Sequence, residues 1–166
     1  RLFGVEMADN FRQPYFSVSL GDFWRRWHIT LGAWMRDYVF YPFALTKPVT
    51  KLSKAAKARF GADFGRALPA ALGNILVFLL VGVWHGAQMS FVLWGLYNGL
   101  ILAMSALLEP VYKRANERLG SLSKTRAFYV LRILRTFIIV NIGWYFDRCL
   151  HGMDAFRMLG VTLTDP

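Results

Sequence analysis

Residues 67–86 read ALPAALGNILVFLLVGVWHG. The run has the length, about 20 residues, that an α-helix needs to cross the hydrocarbon of a bilayer. A second apolar run, QMSFVLWGLYNGLILAMSALL, occupies 88–108, and a third, AFYVLRILRTFIIVNIGWYFD, occupies 127–147. Three membrane helices are therefore predicted, at 67–86, 88–108 and 127–147. Arg132 and Arg135 sit near the entrance of the third, where long basic side chains can snorkel to the interface.

The whole chain agrees with that reading. It is 55% hydrophobic, 16% aromatic and 18% charged, with mean hydropathy +0.33. Soluble domains carry about 25% charged residues. The net charge is nevertheless +10 and the pI about 10.2. These cations flank the apolar runs instead of striping one face, so the positive-inside rule explains them and nucleic-acid binding is not expected. Residues 47–66, KPVTKLSKAAKARFGADFGR, hold four lysines and two arginines against one aspartate. They read as a basic loop with some amphipathic helix. Lys113, Arg114, Arg118, Lys124 and Arg126 follow the second apolar run. Both ends of the 67–108 hairpin are thus basic and belong in the cytoplasm. His85-Gly86 then lies at the tip, deep in the membrane or near its far face.

Residues 1–20 read as loop with short interfacial pieces, and Asp22 as the cap of a helix beginning at Phe23. In FWRRWHITLGAWMRDYVFYPF, residues 23–43, Trp24, Trp27, His28, Leu31, Trp34, Met35 and Tyr38 recur at helical spacing. The arginines make it too polar for a simple span. An interfacial or re-entrant helix over 22–41 is expected, ended by Pro42. The tail, 148–166, reads as the approach to a further element. The chain opens on Arg1 and closes soon after an apolar span, so it is expected to be one membrane domain over 1–166, cut from a longer protein.

An ionisable side chain at membrane depth is a functional-site hypothesis, and His85 meets that description. A neutral imidazole held away from bulk water is a competent general base near neutral pH. The alternative is a histidine hydrogen-bonded to a neighbouring helix. His28, beside Trp27, carries the same two readings. Arg25, Arg26 and Arg36 can bind a phosphate or carboxylate, or face lipid headgroups; Asp37 is expected to pair with an arginine. Trp24, Trp27, Trp34, Trp84 and Trp94 can line a tunnel or serve as packing and interface anchors. His151 reads as surface, and Cys149, the only cysteine, as inert packing. No H-x-x-x-H or C-x-x-C spacing suggests a metal site. No G-x-S-x-G occurs, and Ser90 and Ser105 have no base in helical register.

FWRRWHITLGAWMRDYVFYPF, then a basic segment, then VGVWHGAQMSFVLWGLYNGL, resembles the membrane-bound O-acyltransferase family. MADNFRQPYFSVSLGDFW and IIVNIGWYFDRC extend the resemblance over roughly residues 5–150. It is strongest to the bacterial branch of alginate O-acetylation and teichoic-acid D-alanylation. The resemblance implies a partial bundle of many membrane helices around a tunnel, in the bacterial cytoplasmic membrane. His85 of W-H-G would be the catalytic histidine and His28 of R-R-W-H the second functional one. Arg25, Arg26, Trp27, Trp84 and Asp37 are the candidate substrate-binding residues. No resident cofactor is implied. An acyl thioester, acyl-CoA or an acyl-carrier protein, would donate from the cytoplasm. An extracytoplasmic acceptor or partner transferase would receive the acyl group on the other side. The reading from a different class is a transporter or assembly scaffold whose histidines only satisfy polar contacts. A transporter would more often show paired broken helices in two sequence halves, and no such repeat is present.

Overall fold

A computed structural model describes residues 4, 6–149 and 151–165. Among them the regular structure is helical and no strand forms; one isolated bridge joins Phe11 to Trp27. Three helices are long and apolar enough to cross a membrane: α5 (Ala62–His85), α6 (Met89–Leu107) and α8 (Arg126–Arg148). At 1.5 Å per residue the 24 residues of α5 span about 36 Å. Five of the six predicted ends lie within two residues of the observed ones; the exception is the start of α5, which lies before residue 67. That extension carries Arg66 and Asp63, which hydropathy rejects, and contains Pro69 in its second turn. Proline cannot donate to the carbonyl four residues back. The Gly65 carbonyl instead accepts from Ser53 Oγ at 2.7 Å, which also ties α5 to the preceding helix.

α5 and α6 form an antiparallel hairpin with its tip at 86–88, and they share the most extensive contact in the fold. Glycines make that approach possible. A Cβ on Gly82 would overlap the Phe91 carbonyl oxygen, and one on Gly95 the Phe78 carbonyl oxygen. A Cβ on Gly99 would lie 2.9 Å from Ile75 Cα. Gly95 and Gly99 form a G-x-x-x-G pair, the spacing that lets membrane helices approach backbone to backbone. α8 packs on α6, where the Tyr97 hydroxyl donates to the Ile139 carbonyl at 2.7 Å. Leu131, Leu134 and Ile138 of α8 face outward, an apolar surface suited to lipid tails.

Several expectations are corrected. The single helix expected at 22–41 is two, α1 (Leu20–Arg26) and α2 (Ile29–Met35), followed by a π-turn at Arg36–Phe40 and α3 (Tyr41–Ala44). The break falls at Trp27-His28, where His28 takes the left-handed conformation, φ 51° and ψ 50°. Aromatic periodicity continues through the break and conceals it. α1 begins before Phe23 and its cap is Ser19, whose hydroxyl accepts from the Asp22 amide at 3.1 Å. Asp22 reaches back to accept from the Val18 amide at 3.3 Å, a reciprocal arrangement of the capping-box kind.

The segment 47–66 is not mainly loop. It holds α4 (Lys47–Phe60), opened by Pro48 in its first turn, and the start of α5. Lysine and alanine are good helix formers, so charge alone did not make a loop of it. Helix α7 (Glu109–Leu119) links α6 toward α8, and the tail folds as α9 (Gly152–Thr164) against α8 and α6. Arg135, expected to snorkel, donates from Nη2 to the Val18 carbonyl at 3.0 Å and fastens the segment before α1 to α8.

Candidate active site

His85 is the last residue of α5. Its ring stacks on Phe91 at 5.9 Å between centroids and lies edge-on to Trp94 at 5.3 Å and Trp84 at 5.0 Å. Gly86 follows because the Phe91 ring would meet any Cβ there at 2.7 Å. The W-H-G sequence thus sets an imidazole at the hairpin tip with an aromatic ring folded back against it.

His28 reaches the same place from the α1–α2 break. Its ring is 6.1 Å from Trp84 and 6.2 Å from Phe11. His28 and His85 line one cavity of about 690 Å³, within the range of small-molecule sites. Asp147, near the end of α8, lines the same cavity. Trp24, Trp27, Trp94 and Trp144 supply much of the apolar lining, and Arg25 and Asp147 bring opposite charges to it. Trp24 is edge-on to Trp94 at 5.6 Å and Trp27 lies 5.4 Å from Trp144. These contacts hold the α1–α2 segment against α6 and α8.

Three of the cavity's residues carry a buried polar nitrogen with no hydrogen-bond partner among the described residues: Trp24 Nε1, Trp144 Nε1 and His28 Nδ1. Buried polar atoms ordinarily find partners, so a polar group brought into this cavity would meet nitrogens able to pair with it.

Of the predicted site residues, His85, His28, Arg25 and Trp27 come together around the cavity. Trp84 packs on both histidines from outside the lining. Arg26 is held by Asp22 in a two-point pair, with both nitrogen–oxygen distances 3.2 Å. Asp37 binds Arg36 through Nε at 2.9 Å and lies outside the lining. The Arg36 guanidinium holds the exposed Asp37 carboxyl below its ordinary value. Among the other tryptophans, Trp34 stacks on Tyr38 at the surface. His151 is exposed and lies 3.3 Å from Asp154. Cys149 is buried, its sulfur 3.3 Å from that of Met158. Among the described residues no three His, Cys, Asp or Glu side chains gather as metal ligands.

Asp147, Trp144, Asn74 and Tyr41 are among the lining residues that pattern did not single out. The signal for Asp147 was present: a carboxylate at the end of an apolar span is itself a candidate. Its place in the cavity depends on α8 packing on α6, which no local pattern reports.

The sequence profile of the membrane-bound O-acyltransferase family matches residues 2–145. The chain belongs to that family and is an integral membrane protein. It is 32% identical over 159 residues to the probable alginate O-acetylase of Pseudomonas syringae, covering 96% of this chain and 25% of that protein. It is 31% identical over 144 residues to the teichoic acid D-alanyltransferase of Bacillus subtilis, covering 87% of this chain and 33% of that protein. To the peptidoglycan O-acetyltransferase of Helicobacter pylori it is 31% identical over 162 residues, covering 95% and 25%. The chain therefore spans a quarter to a third of the length of these curated relatives.

Proposed function

We propose that this chain forms the catalytic portion of a membrane-bound O-acyltransferase. The enzyme moves an acyl group, acetyl or D-alanyl in type, to hydroxyls of a cell-envelope polymer. The observation that carries the reading is the convergence of His28 and His85, far apart in sequence, on one aromatic-lined cavity. The names of the relatives, which transfer acetyl or D-alanyl groups to alginate, peptidoglycan or teichoic acid, support the choice of reaction.

In the proposed step a thioester, acyl-CoA or an acyl-carrier protein, presents its acyl carbon to the cavity. The acceptor hydroxyl approaches His85, which takes its proton as the oxygen attacks the carbon. A base in that position contributes about 10²–10⁴-fold. His28 donates a hydrogen bond to the oxyanion as it forms. The C–S bond then breaks, and the His85 imidazolium returns its proton to the departing thiolate. Arg25 holds an anionic part of donor or acceptor, and Trp27 and Trp84 pack the substrate and the two imidazoles.

The membrane arrangement supports donor and acceptor on opposite sides. Lys47, Lys51, Lys54 and Lys57 of α4 and Lys113, Arg114 and Arg118 of α7 lie at the end of the hairpin away from His85. Under the positive-inside rule that end is cytoplasmic. The membrane is then the bacterial inner membrane, the lipid its direct surrounding, and the acceptor polymer or a partner transferase extracytoplasmic.

The test uses the full-length protein in membranes supplied with isotope-labelled acyl thioester, wild type against His85→Ala. Loss of labelled polymer by at least about 100-fold at unchanged protein level is the expected result. Equal labelling removes His85 as the base and leaves a transporter or scaffold as the better reading.

A further inference from the structure

The break that presents His28 is held from outside. A helix leaves its first backbone N–H groups without internal partners, and the residue at the N-cap normally supplies one from its own side chain, in extended conformation. His28 occupies that position in α2 but is left-handed, and its side chain makes no cap. Asn10 does the work instead. Its carbonyl accepts from the Ile29 amide at 3.1 Å. Its Oδ1 accepts from the Thr30 amide at 3.0 Å and from the Thr30 hydroxyl at 2.6 Å. Two residues further along the same strap, the Arg12 amide donates to the Arg26 carbonyl at 2.9 Å. Between these attachments Phe11 lies edge-on to Trp27 at 4.9 Å and beside His28 at 6.2 Å. The strap therefore grips the chain on both sides of His28.

We propose that Asn10 is a positioning residue for His28: it caps α2 in place of the histidine, fixes the left-handed turn, and leaves the imidazole for the cavity. A left-handed conformation at a residue other than glycine persists only where its surroundings enforce it. The Asn10 bonds to Ile29 and Thr30 are that enforcement, and the His28 ring, relieved of capping, lines the cavity with its Nδ1 uncommitted among the described residues.

This inference rests on the reading of His28 as a functional group, and its test separates the two. The full-length protein is compared as wild type, Asn10→Ala, Asn10→Asp and Thr30→Val, the first two variants also in a His28→Ala background. Hydrogen exchange is followed at Ile29 and Thr30, and acyl transfer as kcat and KM. Asn10→Ala is expected to speed exchange at both amides about 10-fold, as the loss of a helix cap does. It should lower kcat about 10-fold or more with KM for the donor nearly unchanged. Asn10→Asp keeps the accepting oxygen and should restore both. Thr30→Val, which removes only the hydroxyl contact, should fall between, and it carries the test if Asn10→Ala does not accumulate. In the His28→Ala background Asn10→Ala should cost nothing further. An equal loss in both backgrounds, no rescue by Asp, or unchanged exchange at Ile29 and Thr30 overturns the proposal while the acyltransferase reading stands. Full activity of His28→Ala overturns the role of His28 itself.

Discussion

Gly95→Ala is the substitution whose cost the structure states most directly. A methyl group at Gly95 would overlap the Phe78 carbonyl oxygen and lie 3.0 Å from its carbon and 3.3 Å from Leu79 Cα. All three atoms are backbone, so no side-chain rotation relieves the clash; α5 and α6 must part. Separation by about 1 Å restores ordinary contact, and overpacking of this kind costs about 1–3 kcal/mol. The upper end is expected, because the neighbouring contact of Gly99 with Ile75 loosens in the same movement. Activity should suffer as well. Phe78, Val81 and His85 of α5 and Trp94 of α6 line the cavity, and a displacement of about 1 Å at a site can cost about 100-fold in rate. The assay is thermal unfolding of the full-length protein in detergent, followed by acyl transfer after reconstitution. Gly160→Ala in α9 is the control. Nothing lies within 4 Å of a Cβ there, and replacing a helical glycine gains up to about 1 kcal/mol. A Gly95→Ala protein within about 0.5 kcal/mol of wild type and fully active would refute the close packing of the hairpin.

Three further outcomes are expected. Tyr97→Phe removes the hydroxyl that donates to the Ile139 carbonyl and should destabilise the α6–α8 contact by about 0.5–1.5 kcal/mol, read by the same unfolding assay. Asp22→Ala removes the carboxylate that receives the Val18 amide and both Arg25 and Arg26, and should cost about 1–2 kcal/mol. The carboxyl of Asp37 is held below its ordinary value by Arg36, so its contribution is present above the unfolded carboxylate pKa. It is lost as pH falls through the lowered value in the folded protein. Asp37→Asn should therefore lower stability slightly at neutral pH and flatten the acid limb of a stability-against-pH curve by the same small amount, since the pair is exposed.

Hydropathy located the three long helices because membrane thickness imposes a length that a sequence cannot disguise. His85 stood out as an imidazole in an apolar run, and His28 on its aromatic face and through the resemblance of R-R-W-H; that both line one cavity is what the fold adds. What was not legible depended on contacts distant in sequence. The break at His28 is enforced by Asn10 and concealed by aromatic residues that keep helical spacing on both sides of it. Asp147 reaches the cavity only through the packing of α8 on α6. Arg25 and Arg26, adjacent and alike, both pair with Asp22, Arg26 at two points and Arg25 at one, and only Arg25 also lines the cavity. The G-x-x-x-G pair on α6 was visible as a pattern. Its meaning, backbone contact with α5, required the partner helix.

The central claim is that His28 and His85 act together on one acyl group in one cavity. A double-mutant cycle on acyl transfer by the full-length protein tests it most directly, with His28→Ala, His85→Ala and the double variant measured at equal protein level. Groups that serve a single step are strongly non-additive. A double variant about as slow as the slower single one is expected. Losses that multiply, or a His85→Ala protein as active as wild type, would contradict it.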